Sequence, residues 1–85
     1  IGLTKQLSKE VSKFNILVNC VCPSQTYTEM LKTSMNTSQL KRLEQSIPLG
    51  RVANTREQAL PILFLCSEGA SYITGTAIDI NGGQL

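Results

Sequence analysis

Histidine is absent from this chain of 85 residues, which removes the Ser-His and Cys-His nucleophile systems. With no second cysteine pair at zinc spacing, an ordinary metal-ligand set is missing too. Long apolar runs are also lacking. Ile16 to Val18 and Ile62 to Cys66 fall far short of the ~20 residues of a spanning helix, and no charged-then-apolar secretory signal opens the sequence. Charge is sparse: eight basic residues against six acidic leave +2. The longest basic run is the pair Lys41-Arg42, so there is no electrostatic case for nucleic acid. The three cysteines are an odd number without framework spacing, unlike the stapled cores of small secreted domains. A cytoplasmic protein without nucleic-acid or membrane partners is therefore expected. Asn36-Thr37-Ser38 matches a glycosylation sequon, which without a secretory signal is read as chance.

A chain of this size buries only somewhat more than roughly 60% of its unfolded surface, so a second domain is excluded and one core would be marginal. Leu3, Leu7 and Val11 recur at fourfold spacing with Lys5, Ser8, Lys9 and Ser12 between them, which predicts an amphipathic helix to about Lys13. No capping residue precedes it, so the chain is expected to begin within a helix. Ile16 to Cys22 is a near-continuous apolar run closed by Pro23, the pattern of a parallel strand buried on both faces. On that strand Cys20 and Cys22 share a side and read as buried thiols.

Residues 24–51 are rich in Ser, Thr, Asn and Gln, and so long an excursion usually carries function. Within it Thr26-x-x-Glu29 predicts a capping box ahead of Met30-Leu31. Thr37 or Ser38 is expected to cap a helix with Leu40, Leu43 and Ile47 inward. Pro48 and Gly50 end the excursion in a tight turn. Thr55-x-x-Gln58 predicts another capping box, starting a well-buried helix through Ala59, Ile62, Leu63, Phe64 and Cys66 whose Pro61 should make the first turn irregular. Gly69 and Thr74-Gly75 turn the chain, Thr76 to Ile80 forms a short strand, and Asn81-Gly-Gly83 ends it. Strand, helix, strand in this order implies a right-handed crossover between parallel strands. Two such strands have nothing to cover their second face or outer edge, so these residues are expected to be one piece of a larger α/β domain.

The segments Leu3-Thr-Lys-x-Leu7, Ile16-Leu-Val-Asn19, Asn19-Cys-Val-Cys-Pro23 with Thr28-Glu29-Met30, Ile47-Pro-Leu-Gly-Arg51, Phe64-Leu-Cys-Ser67, Ser71-Tyr-Ile-Thr-Gly75 and Asp79-x-Asn81-Gly-Gly83 occur in a telling order and spacing. Together they resemble the C-terminal third of short-chain dehydrogenase/reductases, in the branch similar to 3-oxoacyl carrier-protein reductases. The resemblance covers residues 1–85 and implies a doubly wound Rossmann fold, with 24–51 as the substrate-binding lobe. It also implies that the glycine-rich phosphate loop and the catalytic Ser and Tyr-x-x-x-Lys precede this stretch. The Lys would stand about one helical turn, and the Tyr about two, before Ile1. Neither Tyr27 nor Tyr72 is followed by Lys four residues later, so neither replaces it.

Carried over by position, the resemblance names Pro23, Ser24, Thr26 and Thr28 as contacts of NAD or NADP, with the Thr28 hydroxyl as the side-chain hydrogen bond. The alternative reading is that Thr26 and Thr28 serve only to cap the following short helix. The family has Gly where Ser24 stands and a β-branched apolar residue where Thr26 stands. Ser24 fits without strain only if its φ is negative. Met30, Leu31 and Met35 would offer an adaptable wall to a small carbonyl, alcohol or acyl substrate. No catalytic residue and no metal ligand is assigned. The resemblance further implies a homodimeric or homotetrameric parent, with the 85-residue chain inactive alone. The competing reading is a non-catalytic remnant that assembles or binds a partner through the Leu3/Leu7/Val11 stripe.

Overall fold

The computed structural model describes residues 1–84. The first helix, α1, spans Gly2–Val11 and passes into a 3-10 turn over Ser12–Phe14. The turn stops because Asn15 adopts a left-handed conformation, φ 59°, which asparagine tolerates better than most residues. As expected, no side chain caps the start of α1. Its apolar stripe is left largely uncovered. Ser8 is the buried residue of the helix, whereas Leu3 and Leu7 are exposed.

Strand β1 is Cys20–Pro23, shorter than the run that begins at Ile16. Its partner β2 is Ala77–Ile80, and the two pair in parallel with Cys20 opposite Ala77 and Pro23 opposite Ile80. The ladder cannot continue toward Ile16 because the chain before β2 is still turning, with Gly75 at φ +75°. Side chains take over there. Asn19 Nδ2 donates to the Ile73 carbonyl at 3.0 Å, Thr76 N donates to Asn19 Oδ1 at 3.1 Å, and Val18 N donates to Thr74 Oγ1 at 3.1 Å. One asparagine thus acts as an extra rung.

Three further helices lie between the strands: α2 over Glu29–Ser34, α3 over Thr37–Ser46 and α4 over Thr55–Leu65. Each begins where a cap was anticipated, but on a different residue. Thr28, not Thr26, caps α2, its Oγ1 accepting from Leu31 N at 3.3 Å. Asn36, not Thr37 or Ser38, caps α3 in a box with Gln39, and Asn54, not Thr55, caps α4 in a box with Glu57. In both boxes a short amide oxygen reaches the N3 backbone while the N3 side chain reaches back, leaving the threonine as the first helical residue. The first turn of α4 is therefore regular, and Pro61 lies further inside the helix than expected.

Burial is thin. Ile47 at 4% exposure and Ala70 at 0% are the buried hydrophobic residues. Helix α4, expected to be well buried, leaves Leu60, Ile62, Leu63 and Phe64 exposed, because two strands offer it too little surface to cover. The radius of gyration is 16.0 Å, with extents of 51 × 22 × 21 Å. A compact unit of this length would measure about 12 Å, so these elements form an extended layer and not a compact core. Among the described residues no helix is long and apolar enough to cross a membrane.

Candidate functional site

The loop at the carboxyl end of β1 is the place where open α/β sheets meet their ligands. It is tied down at its root. Ser24 N donates to the Ile80 carbonyl at 3.1 Å, and Gln58 Nε2 reaches the same oxygen at 3.4 Å. Thr26 Oγ1 donates to the Ser24 carbonyl at 3.3 Å. Further along, Tyr27 N donates to the Ala53 carbonyl at 2.7 Å and Ala53 N donates to the Gln25 carbonyl at 3.4 Å, a single parallel bridge centred on Thr26 and Ala53.

This bridge has a directional consequence. In a parallel bridge one residue bonds through its own N–H and C=O, here Ala53, and the other through its neighbours' groups, here Gln25 and Tyr27, so the N–H and C=O of Thr26 face the opposite edge. Thr26 therefore presents one backbone donor and one acceptor side by side, away from Ala53. A primary carboxamide carries the complementary pair. Two residues on, the Thr28 hydroxyl oxygen is occupied by the cap while its proton has no acceptor among the described residues. Thr28 is exposed. The donor set of the loop thus fits the carboxamide end of a nicotinamide.

Ser24 is half-buried, and Asn15 is the non-glycine residue with positive φ among those described. The serine is accordingly free of left-handed strain. Pro23 is exposed at the end of β1. Met30 is exposed on α2, whereas Leu31 and Met35 are half-buried. Beside the loop, a hollow of about 530 Å³ lies between α4 and the end of β2, with Ser24, Ile47, Leu60, Phe64, Ile80 and Asn81 in its wall. Its size is in the range of small-molecule pockets.

An ion pair closes one side of this hollow. Arg51 Nη1 and Nη2 each lie 2.6 Å from a carboxylate oxygen of Glu57. That pairing, with a further bond from Asn54 N, holds the Glu57 carboxyl down at about 2. The two thiols on β1, expected to be buried, are half-buried. Burial pushes the Cys22 thiol up, and the neighbouring Cys20 and Asp79 add to the effect. A raised thiol is a poor nucleophile, in keeping with a packing role. Among the described residues no group of three or more metal-ligating side chains converges.

Sequence reasoning placed Asn19 in a family motif, Gln58 in a capping box and Ser8 on the polar side of α1, and missed the inward role of each. Each is a polar residue facing inward within an otherwise apolar or helical pattern, the one signal that singles out such positions. Lys5, on the polar side of the amphipathic pattern, is exposed and donates to the Gly75 carbonyl at 3.2 Å.

The profile of the family described as Enoyl-(Acyl carrier protein) reductase matches residues 1–84. The 3-oxoacyl-[acyl-carrier-protein] reductase FabG of Aquifex aeolicus is 48% identical over 85 residues, covering 99% of this chain and 34% of that protein. An acetoacetyl-CoA reductase of Acinetobacter is 43% identical over 83 residues, covering 98% and 33%. Among solved structures, YwfH, an NADPH-dependent reductase involved in bacilysin biosynthesis, superposes with a TM-score of 0.88 at 32% identity, covering 99% of this chain and 35% of that one. A short-chain dehydrogenase family protein of Francisella tularensis gives 0.85 at 30% identity, covering 96% and 38%. The chain thus spans about a third of the length of the relatives it matches. Its helices and parallel strands are the α/β elements of a Rossmann fold, and the chain belongs to the short-chain dehydrogenase/reductase family.

Proposed function

We propose that this chain is the cofactor-orienting and substrate-facing part of an NAD(P)-dependent oxidoreductase that interconverts a carbonyl and an alcohol on a small acyl substrate. The observation that carries the reading is the bridge between Thr26 and Ala53, which turns the Thr26 N–H and C=O outward as a carboxamide-binding pair. Bound there, NAD or NADP would supply or accept hydride. The chain's own residues orient the ring: Thr26 through its backbone, Thr28 through its hydroxyl proton, and Pro23 and Ser24 by fixing the loop to the strands. Met30, Leu31 and Met35 on and after α2 are the substrate-facing side chains in this reading. Proton transfer falls to a tyrosine and lysine outside these residues, so the chain alone is inactive. The relatives' names, a 3-oxoacyl-[acyl-carrier-protein] reductase and an acetoacetyl-CoA reductase, favour a 3-oxoacyl thioester as substrate.

The test is a chimera in which this chain replaces the matching C-terminal third of the Aquifex aeolicus reductase. It should oxidise NADH or NADPH in the presence of a 3-oxoacyl thioester, and the 85-residue chain alone should not. A folded but inactive chimera, or turnover by the chain alone, would count against the reading. A second reading, a module for assembly, is favoured by the exposure of Leu3, Leu7 and Leu63. A stable oligomer formed by the chain alone in light scattering would support it. In the oxidoreductase reading the same surfaces serve a cytoplasmic homodimer or homotetramer.

A further inference from the structure

Residues 29–45, which hold α2 and α3, lean very little on the rest of the molecule. Neither helix has a buried residue, and among the described residues their hydrogen bonds stay within 28–47. The segment is fastened at its two ends. At the entry, Thr26 is bridged to Ala53. At the exit, Ile47 is 4% exposed and lies against the turn that follows β2. Leu49 N donates to the Gly82 carbonyl at 3.1 Å, and Gln84 Nε2 donates to Ser46 Oγ at 3.1 Å. A Cβ built on Gly82 would lie 2.9 Å from Ile47 Cγ2, and one built on Gly83 3.0 Å from Pro48 Cβ, nearer than carbon atoms pack. The two glycines thus bring backbone directly onto the exit of the lobe.

We infer that Gly82 and Ile47 are positioning residues that set acyl-chain selectivity: their contact fixes where the chain leaving α3 rejoins the strands, and with it the placement of Met30, Leu31 and Met35. The inference rests on the oxidoreductase reading, in which those three side chains face the substrate. A strap held at two points keeps its place only while both points hold, because α2 and α3 have no buried face to hold them otherwise. The entry is set by Ala53 and the exit by Gly82. Isoleucine is stiff at χ1, so Ile47 Cγ2 does not swing clear of an added atom. The hollow beside α4 opens next to Ile47, Leu49 and Gly82, so the exit gives way in that direction and draws the end of α3 with it. A lobe displaced in this way loses contacts along the substrate, and the contacts furthest from the reacting carbonyl are made only by a longer acyl chain.

In the Aquifex chimera the readout is kcat/KM for a 3-oxooctanoyl thioester divided by kcat/KM for an acetoacetyl thioester. The folded fraction and cofactor occupancy scale both rates alike and cancel in that ratio. Gly82→Ala should lower it on the order of threefold to tenfold. Gly50→Ala is the control, because Gly50 also has a positive φ, +79° against +60° at Gly82, but an added Cβ there meets nothing within 4 Å. It carries the same kind of backbone strain and should leave the ratio within about twofold. A purely structural role would move the two alanine variants together. Ile47→Val trims the contact from its other side by one methyl group, a change that folded cores tolerate. It should shift the ratio in the same direction as Gly82→Ala, and it decides the matter if Gly82→Ala does not fold. An unchanged ratio in either Gly82→Ala or Ile47→Val, or a matching fall in Gly50→Ala, would overturn the inference while leaving the oxidoreductase reading intact. An inactive parental chimera would instead overturn that reading, and this inference with it.

Discussion

Arg51 and Glu57 meet in a two-point ion pair, each guanidinium Nη 2.6 Å from its own carboxylate oxygen. Glu57 also closes the α4 capping box by accepting from Asn54 N at 3.0 Å. One carboxylate therefore fastens the turn after α3 to the start of α4. Its proton affinity predicts a pH dependence. The folded carboxyl titrates at about 2, against an ordinary value of 4.5, so the stabilisation is complete above about 4.5 and is lost as pH falls toward 2. Thermal melts of the chimera should lose stability over that window. Glu57→Gln should melt lower at neutral pH and show a shallower acid slope, since the amide keeps the box but not the charge. Parallel slopes for the two proteins would show that the pair is not coupled to folding. Because both side chains are substantially exposed, the effect should shrink with added salt.

In the proposed function Thr28 divides its hydroxyl between two tasks, with the oxygen capping α2 and the proton offered to cofactor. Thr28→Ala should cost about 1 kcal/mol of stability through the lost cap and weaken cofactor binding several-fold, about the worth of one hydrogen bond. Thr28→Ser should preserve both properties. Thr28→Asp separates them, because a carboxylate accepts from Leu31 N but has no proton to donate. Its stability should return toward that of the parent while cofactor affinity does not. Calorimetric titration beside thermal melts of the three variants reads both quantities. Recovery of cofactor affinity in the aspartate variant would refute the division of labour.

Periodicity read the helices well because a 3.6-residue pattern survives even when a face is only half covered. The loop after β1 was placed by Pro23, which closes an apolar run, whereas its proposed role toward cofactor came from the family resemblance and not from the pattern. The errors have a common cause. Thr26, Thr37 and Thr55 look like caps, yet an asparagine or a later threonine stands beside each, and sequence spacing alone does not choose between adjacent candidates. The choice is made by which side chain reaches the N3 backbone. The strand expected from Ile16 is shortened by contacts from Ile73 to Gly75, over fifty residues away, which no local pattern contains. The exposed side of α4 was misread for a further reason. An apolar helix records the partner it is built to meet, and two strands supply only part of that cover. The outward-facing pair on Thr26 was the least legible feature, since a backbone direction set by Ala53 leaves no mark on side-chain identity.

Asn19 offers a test of the rung that lengthens the β1–β2 pairing. Removing its side chain strands the part-buried Ile73 carbonyl and Thr76 N–H, which predicts that Asn19→Ala costs about 2–4 kcal/mol. Asn19→Asp should be nearly as harmful at neutral pH, because it still accepts from Thr76 but turns a second acceptor toward the Ile73 carbonyl. Acidification protonates that carboxyl and makes it a donor. The gap between the aspartate variant and the parent should therefore narrow as pH falls toward 4. Urea denaturation at several pH values measures this, and a gap that is constant or widening on acidification would contradict the two-bond geometry.

By the family resemblance Ser24 takes a place where glycine is usual, and its conformation predicts the outcome of a glycine there. Left-handed backbone would make Ser24→Gly stabilising by relieving strain. Ser24 is not left-handed, and its N–H is already committed to the Ile80 carbonyl. The substitution relieves nothing and adds only freedom to the unfolded chain. Ser24→Gly should therefore lower stability by about 0.5–1 kcal/mol and leave cofactor affinity within about twofold, since a loop held by Ile80 and Ala53 keeps the Thr26 backbone pair in place. A rise in stability together with tighter cofactor binding would show instead that the serine holds the loop away from its productive position.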